Sequence, residues 1–263
     1  MQLLIDIGNT RLKWAVISRA QSPDGVPLFL HQGSVSHAEM LTLKAQWAVL
    51  PIARVLVSNV AGEQVEHELT LLLASCTTAL KTERFMSSAE QSGLKNAYRQ
   101  PSQLGSDRFA SAIGAHALFP MRALLVVTCG TATTVDAVSH DGIFLGGMIL
   151  PGLQLMAHSL AKNTAQLPQV AESLSIHQLF ADNTDQAIVS GCINAQVGAI
   201  ARAYEALHKM HQQPVSCVIS GGAAPYLLAY LPMPVEHVEN LVLTGLSVVA
   251  KTWQNSTRDD HSG

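Results

Sequence analysis

Asp6-Ile7-Gly8-Asn9-Thr10 and, about half a chain later, Thr128-Cys129-Gly130-Thr131-Ala132-Thr133-Thr134 are the stretches whose reading decides the fold. Each follows a short apolar strand, Leu3-Leu4-Ile5 in one case and Leu124-Leu125-Val126-Val127 in the other. Each runs straight into another strand, Leu12 to Ile17 and Val135 to Val138. The first turn offers backbone N–H groups, a hydroxyl and one carboxylate at a sheet edge, which are parts that can hold a phosphate and its metal ion. Taken alone it reads equally well as an ordinary Gly-Asn hairpin. The second, with Thr131, Thr133 and Thr134, reads alone as a Thr-rich hairpin, since Thr favours strands. Their recurrence in the same layout points to a duplicated domain and tips both toward phosphate binding.

Working outward, the first half predicts a third antiparallel strand over Leu28 to Ser34, with Pro23-Asp24-Gly25 as a turn. Ala38 to Val49 has helical spacing with Ser36 as its cap, Arg54 to Ser58 is a short buried strand, and Glu63 to Ala74 returns to helical period. Lys95 to Leu104 reads as a loop before a helix from Asp107 to Leu118. In the second half Ile143 to Ile149 pairs with the preceding strand and Pro151 to Ala161 is a helix opened by proline. Asp185 to Met210 is a long helix, Val215 to Ser220 a strand, Pro225 to Leu231 helical, and Asn240 to Trp253 a closing helix. The expected architecture is α/β, in two similar domains facing a cleft, 1–119 and 120–255, with a frayed tail over 256–263.

The composition, 263 residues of which 48% are hydrophobic and 13% charged, is that of a globular chain. A net charge of −3 lacks the basic footprint of nucleic-acid binding. Cys76, Cys129, Cys192 and Cys217 are widely spaced, which argues against a disulfide framework or a zinc site. No apolar run has the length of a bilayer span, Asp6 interrupts the only candidate leader, and a cytoplasmic location is expected.

Neither a P-loop nor a Gly-x-Gly-x-x-Gly fingerprint is present, so phosphate binding must use the two turns. Gly105-Ser106-Asp107-Arg108 precedes a helix. Ser106 as N-cap and Asp107 in the first turn are a complete structural explanation. The functional alternative makes Asp107 a base for a substrate hydroxyl and Arg108 a forked donor to an anion. Ser220-Gly221-Gly222-Ala223 is either a tight turn or a place where a flat ligand approaches the backbone. His208 and His211 read as solvated helix residues, not as metal ligands.

Asp6-Ile7-Gly8-Asn9-Thr10, Tyr98 ahead of Gly105-Ser106-Asp107-Arg108, Gly130-Thr131-Ala132-Thr133-Thr134, and Asn183-Thr184 with Ala187-Ile188 and Ser190-Gly191 resemble, in that order, the type III pantothenate kinases. The resemblance runs from residue 3 to about 224. It implies the actin-like ATPase fold, a duplicated RNase H-like domain with ATP in the cleft, and ATP-dependent phosphorylation of pantothenate at its terminal hydroxyl, the first step of coenzyme A synthesis. By this resemblance Asp6, Ile7, Gly8, Asn9, Thr10, Arg11, Leu12 and Lys13 would cradle the ATP phosphates, Asp6 holding Mg²⁺ through water, with Thr131 contacting the nucleotide from the second half. Asp107 would be the proton acceptor. Tyr98, Gly105, Ser106, Asp107 and Arg108 would line the pantothenate pocket. Thr184 would reach pantothenate from the partner subunit, which implies a homodimer with a shared site.

One departure stands out. Many such kinases begin the second loop with an aspartate that binds potassium or ammonium, and here the position is Thr128. A neutral hydroxyl cannot supply a carboxylate's charge, which argues against a monovalent-cation site. A second functional class, a regulatory accessory factor for gene activation that binds ATP or a protein partner, is also implied by the names of some relatives. Such a factor would be expected to lose Asp6 or Asp107, and both are present.

Overall fold

The computed structural model describes residues 1–18, 28–76, 81–163, 178–211 and 214–259, so the turn expected at Pro23-Asp24-Gly25 lies outside the described residues. The chain divides into two compact units, Met1–Pro120 with Asn240–Gly263, and Met121–Glu239.

In the first unit β1 (Gln2–Ile7), β2 (Arg11–Ile17) and β3 (Phe29–Ser36) form an antiparallel meander. β4 (Arg54–Asn59) and β5 (Lys81–Arg84) extend it in parallel on the other side of β1, giving the order β3-β2-β1-β4-β5. β1 is buried from Leu3 to Ile7, as its unbroken apolar run requires of a central strand. One face of the sheet packs Leu3, Ile5, Trp14 and Val55 against Trp47 and the apolar side of α2 (Glu63–Cys76). The helix expected over 38–49 is split into a 3₁₀ turn, His37–Thr42, and a short α1, Leu43–Trp47. Ser36 does cap it, its N–H and hydroxyl both donating to Glu39 (3.1 and 2.7 Å). Thr42 Oγ1 then donates to the Glu39 carbonyl at 2.7 Å, a side-chain bond three residues back that favours the tighter turn.

Ahead of the next helix, β6 (Glu90–Gln91) and β7 (Leu94–Asn96) make a small hairpin absent from the sequence reading. Its turn, Ser92-Gly93, has φ of 52° and 81°, the two positive values that a type I′ hairpin needs. α3 (Ser106–Leu118) follows.

The second unit repeats the scheme. β8 (Ala123–Cys129), β9 (Ala132–Val138) and β10 (Ile143–Pro151) are an antiparallel meander, and β11 (Val215–Ser220) and β12 (Val235–His237) add in parallel beyond β8. α4 (Leu153–Asn163), α5 (Thr184–His211) and α6 (Pro225–Leu228) complete it. Leu125, Val127, Cys129, Cys217 and Ile219 pack against Val189, Ile193 and Ile200 of α5. Pro151, expected to open α4, instead ends β10 opposite Ala132.

α7 (Leu241–Asp259) corrects the expected domain boundary, because it belongs with the first unit and not with 120–255. The reason is close helix packing on α3. A Cβ on Gly245 would lie 1.8 Å from the Ala110 carbonyl oxygen, and one on Gly114 would lie 2.8 Å from the Gly245 nitrogen. Only paired glycines permit that approach, and Leu241, Leu246 and Val249 are buried around it. The helix runs past residue 256, where a frayed tail was expected, to Asp259; residues 260–263 lie outside the described residues.

Candidate active site

The first unit gathers its acids at the ends of β1 and α3. Across the meander Asp6 stands opposite Lys13, and on its parallel side opposite Ser58. Ser58, fully buried, shares a 2.8 Å hydrogen bond with the Ser106 hydroxyl, which ties the start of α3 to the strand beside Asp6. Ser106 is therefore not the expected N-cap; Gly105 holds that position and the Ser106 hydroxyl is spent on Ser58.

Asp6 is 8% exposed, and its Oδ1 has no hydrogen-bond partner. Burial, with the Asp107 charge adding to it and Lys13 opposing it, raises its pKa to about 7. Asp107 is partly exposed. Desolvation is the main cause raising its pKa, against the Arg108 N–H, which donates to Oδ1 at 2.8 Å, and the Arg108 charge. A Cβ on Gly105 would meet that same Oδ1 at 2.7 Å, so glycine leaves the carboxylate room to turn back over the helix start. Arg108 is buried, and its Nη1 donates to the Tyr98 hydroxyl at 3.0 Å while the guanidinium lies 5.8 Å from the Tyr98 ring centre. An anion meeting this pair would find a desolvated, oriented guanidinium.

The first turn holds its shape through Gly8 N–H, which donates to the Arg11 carbonyl at 3.0 Å, and leaves Asn9 and Thr10 exposed. Ile7 and Leu12 are fully buried in the core, so those two can offer a ligand only their backbone. The Arg11 guanidinium is occupied on β3, donating to the Ser34 hydroxyl (2.9 Å) and carbonyl (3.1 Å).

The second turn resembles the first in its hydrogen bonding: Gly130 N–H donates to the Ala132 carbonyl at 2.9 Å, with Thr131 exposed at the tip. Thr133 and Thr134 are not part of the turn. Both are in β9, and Thr133 is buried with its hydroxyl donating to Gln196 Oε1 at 2.7 Å. Thr128 and Thr134 face each other across β8 and β9, and neither hydroxyl has a hydrogen-bond partner. Thr184, exposed, is the first residue of α5, capped by Asn183, whose Oδ1 accepts the Gln186 N–H at 3.0 Å. It borders a cavity of about 730 Å³ whose walls include Pro151, Leu155, Leu160, Ile188 and Cys192.

Three supporting residues escaped the sequence reading. His37 Nε2 bonds the Gly8 carbonyl at 2.9 Å, so the ring donates there and braces the first turn. Asn96, buried, donates to the Ser88 and Pro101 carbonyls (3.2 Å each) and accepts the Tyr98 N–H (3.1 Å), fixing the segment that carries Tyr98. Gln196 is a polar residue in the apolar stripe of α5 between Ile193 and Ile200, a break in periodicity visible in the sequence. Among the described residues no cluster of three or more His, Cys, Asp or Glu could hold a metal without other ligands. Asp6, with an unpartnered buried oxygen, does fit a cation that is also held by a phosphate.

The sequence profile of the type III pantothenate kinase family matches residues 2–206. A type III pantothenate kinase of Janthinobacterium sp. (strain Marseille) is 54% identical over 254 residues, covering 95% of this chain and 97% of its own length. One of Burkholderia mallei is 41% identical over 262 residues, covering 95% and 99%. Among solved structures, a protein of Campylobacter jejuni described as a Baf family transcriptional activator aligns with TM-score 0.59 at 20% identity over 96% of this chain and 99% of its own. A Sinorhizobium meliloti protein described as a 2-dehydro-3-deoxygalactonokinase aligns with TM-score 0.53 at 14% identity over 96% and 99%. At such identities these likenesses establish the fold, the actin-like ATPase arrangement of duplicated RNase H-like domains.

Proposed function

Because the chain belongs to the type III pantothenate kinase family, we propose that it transfers the γ-phosphoryl group of ATP to the terminal hydroxyl of pantothenate, giving 4′-phosphopantothenate at the start of coenzyme A synthesis. The observation that carries this reading is that the Ser106–Ser58 hydrogen bond ties the start of α3, where Asp107 stands, to the strand beside Asp6, which itself lies opposite Lys13.

On this reading Asp107 accepts the hydroxyl proton as that oxygen bonds the γ-phosphorus and the bond to ADP breaks. Its desolvated carboxyl lies closer to neutral pH than a free one, which suits a base. Arg108, oriented by Tyr98, binds the pantothenate carboxylate, and Gly105 and Ser106 complete that wall. The backbone of the Asp6–Lys13 turn and the Lys13 ammonium hold the phosphates, and Thr131 contributes from the second turn. Asp6 would hold Mg²⁺ through water, and the ion would supply positive charge to the phosphates. Catalysis is then mainly positioning and charge stabilisation.

The protein works as a homodimer in the cytoplasm, Thr184 serving the partner's pantothenate site. Exposed apolar residues near that threonine, Leu155, Leu160 and Phe180, support a covered face there. No described helix is long and apolar enough to cross a membrane. A regulatory accessory role is not favoured, given the relatives' names and the retained acids. The test is phosphopantothenate formation from pantothenate and ATP, with and without Mg²⁺, by mass spectrometry. Mg²⁺-dependent product is expected; its absence with both substrates saturating would refute the reading. Thr184→Ala should raise the pantothenate KM while sedimentation still shows a dimer; an unchanged KM, or a monomeric wild type, removes the shared site.

A further inference from the structure

Gln196 sits where an apolar side chain would ordinarily stand. It is fully buried on α5, and burying an amide is unfavourable unless its hydrogen bonds are made. Both are made, and both go to segments that flank the second turn. Oε1 accepts the Thr133 hydroxyl at 2.7 Å, two residues beyond Thr131, and Nε2 donates to the Pro151 carbonyl at 2.8 Å. The Met156 sulfur lies 3.6 Å from the same nitrogen. The next residue after Pro151 closes the circuit, since Gly152 N–H donates to the Thr131 carbonyl at 2.9 Å.

The contact at Gly152 leaves no slack. A Cβ there would lie 2.2 Å from the Gly130 carbonyl oxygen and 2.6 Å from that of Thr131. The turn is therefore held from one side by Gly152 and from the other through Thr133, and one buried amide sets the spacing between the two. A leucine or methionine would fill the same volume without the cost of desolvation, so packing alone does not explain a glutamine here.

We propose that Gln196 is a positioning residue for the nucleotide: it fixes the Gly130–Thr131 turn in the shape that receives the ATP phosphates. The inference rests on the reading that Thr131 contacts ATP. Gln196 touches no substrate itself. Its effect falls on ATP more than on the acceptor, because Tyr98 and Arg108 lie on other elements and Thr184, although on the same helix, stands twelve residues away at its start.

The test compares Gln196→Met, close in volume but unable to make either bond, with Thr133→Val, which removes one donor and retains shape. Affinity for a non-hydrolysable ATP analogue is measured directly, alongside KM for ATP, KM for pantothenate and thermal midpoint. Each variant should weaken analogue binding and raise the ATP KM about tenfold, the size expected when one buried hydrogen bond is lost, with pantothenate KM within twofold. The double variant should be little worse than the worse single, because the two residues share one network. Unchanged analogue affinity in folded Thr133→Val, whatever its thermal midpoint, would reduce Gln196 to a core contact and overturn the proposal. If the wild type bound the analogue but made no phosphopantothenate, the functional reading would fail while the binding comparison still decided the role of Gln196.

Discussion

Asp6 makes the stability of the ligand-free protein depend on pH in an unusual direction. Its folded pKa is raised from 3.8 to about 7, with burial the main cause. A group of this kind contributes fully below its unfolded pKa and loses that contribution as pH rises through the folded one. Between these limits the folded state keeps a proton that the unfolded chain has released. Stability then falls by about 1.4 kcal/mol per pH unit from this site alone. From pH 5 to pH 8 only the stretch up to about 7 counts, so the loss is roughly 2.7 kcal/mol, or on the order of 5–10 °C in thermal midpoint. Asp107 is raised in the same direction, so its effect has the same sign. Glu39, Glu83 and Asp141 have lowered pKa values, so their contribution is lost only in more acid solution. His116, lowered from 6.5 by burial, acts with the opposite sign inside the window, but it is common to wild type and variant and cancels in the comparison. Asp6→Asn removes the titration and keeps the shape. Midpoints of both proteins, measured by calorimetry in EDTA across pH 5–8, should therefore converge at the acid end, with the variant progressively more stable toward pH 8. With a non-hydrolysable ATP analogue present, Mg²⁺ should raise the wild-type midpoint more at pH 8 than at pH 5, since the ion would be held by the ionised carboxylate and a phosphate together. Parallel midpoint curves for the two proteins would refute the argument, because they would mean that Asp6 is ionised throughout.

Three other outcomes are expected. Asp107→Asn should lower kcat by about a hundredfold or more while ATP-analogue binding and thermal midpoint stay near wild type, whereas a helix-end role alone would cost at most about 1 kcal/mol of stability and preserve turnover. Replacing potassium and ammonium by sodium should change activity little, since Thr128 offers no charge to a monovalent cation; a large loss in the steady-state assay would count against that. Gly245→Ala forces a methyl into the Ala110 carbonyl of α3 and should cost about 3 kcal/mol, read as a midpoint drop of roughly 6–12 °C.

The strands and the two glycine turns were legible because an apolar run ended by a small polar turn is a local pattern, and its recurrence betrays duplication. The order of the motifs then carried the family. What stayed hidden depends on contacts distant in sequence. Nothing near residue 245 shows that this helix packs on α3 and not in the second unit; the pairing of Gly114 with Gly245 is visible only once the helices meet. Likewise the three threonines of the second turn looked alike as donors, but the two-residue period of β9 turns Thr133 into the core, where Gln196 takes it. Ser106 had the right neighbours for a cap, and only its contact with Ser58, forty-eight residues away, shows what its hydroxyl does.

The duplication also explains why the two turns differ in chemistry. Asp6 precedes Gly8 by the same two positions that separate Thr128 from Gly130. Their strand neighbours correspond as well: Lys13 opposite Asp6 becomes Thr134 opposite Thr128, and Ser58 becomes Ser220. One copy thus carries an acid and an ammonium group where the other carries two hydroxyls on the same backbone frame. A triphosphate is already polyanionic, so a carboxylate near it is favourable only when a metal ion lies between them. A second carboxylate, at Thr128, would need a second cation. Hydroxyls need none, since they can donate directly to phosphate oxygens. On the proposed reading the first turn therefore manages charge and the second manages shape. On that reading the neutral loop is held from behind by Gly152 and Gln196, while the charged loop, braced at Gly8 by His37, would gain a further tie from a cation at Asp6.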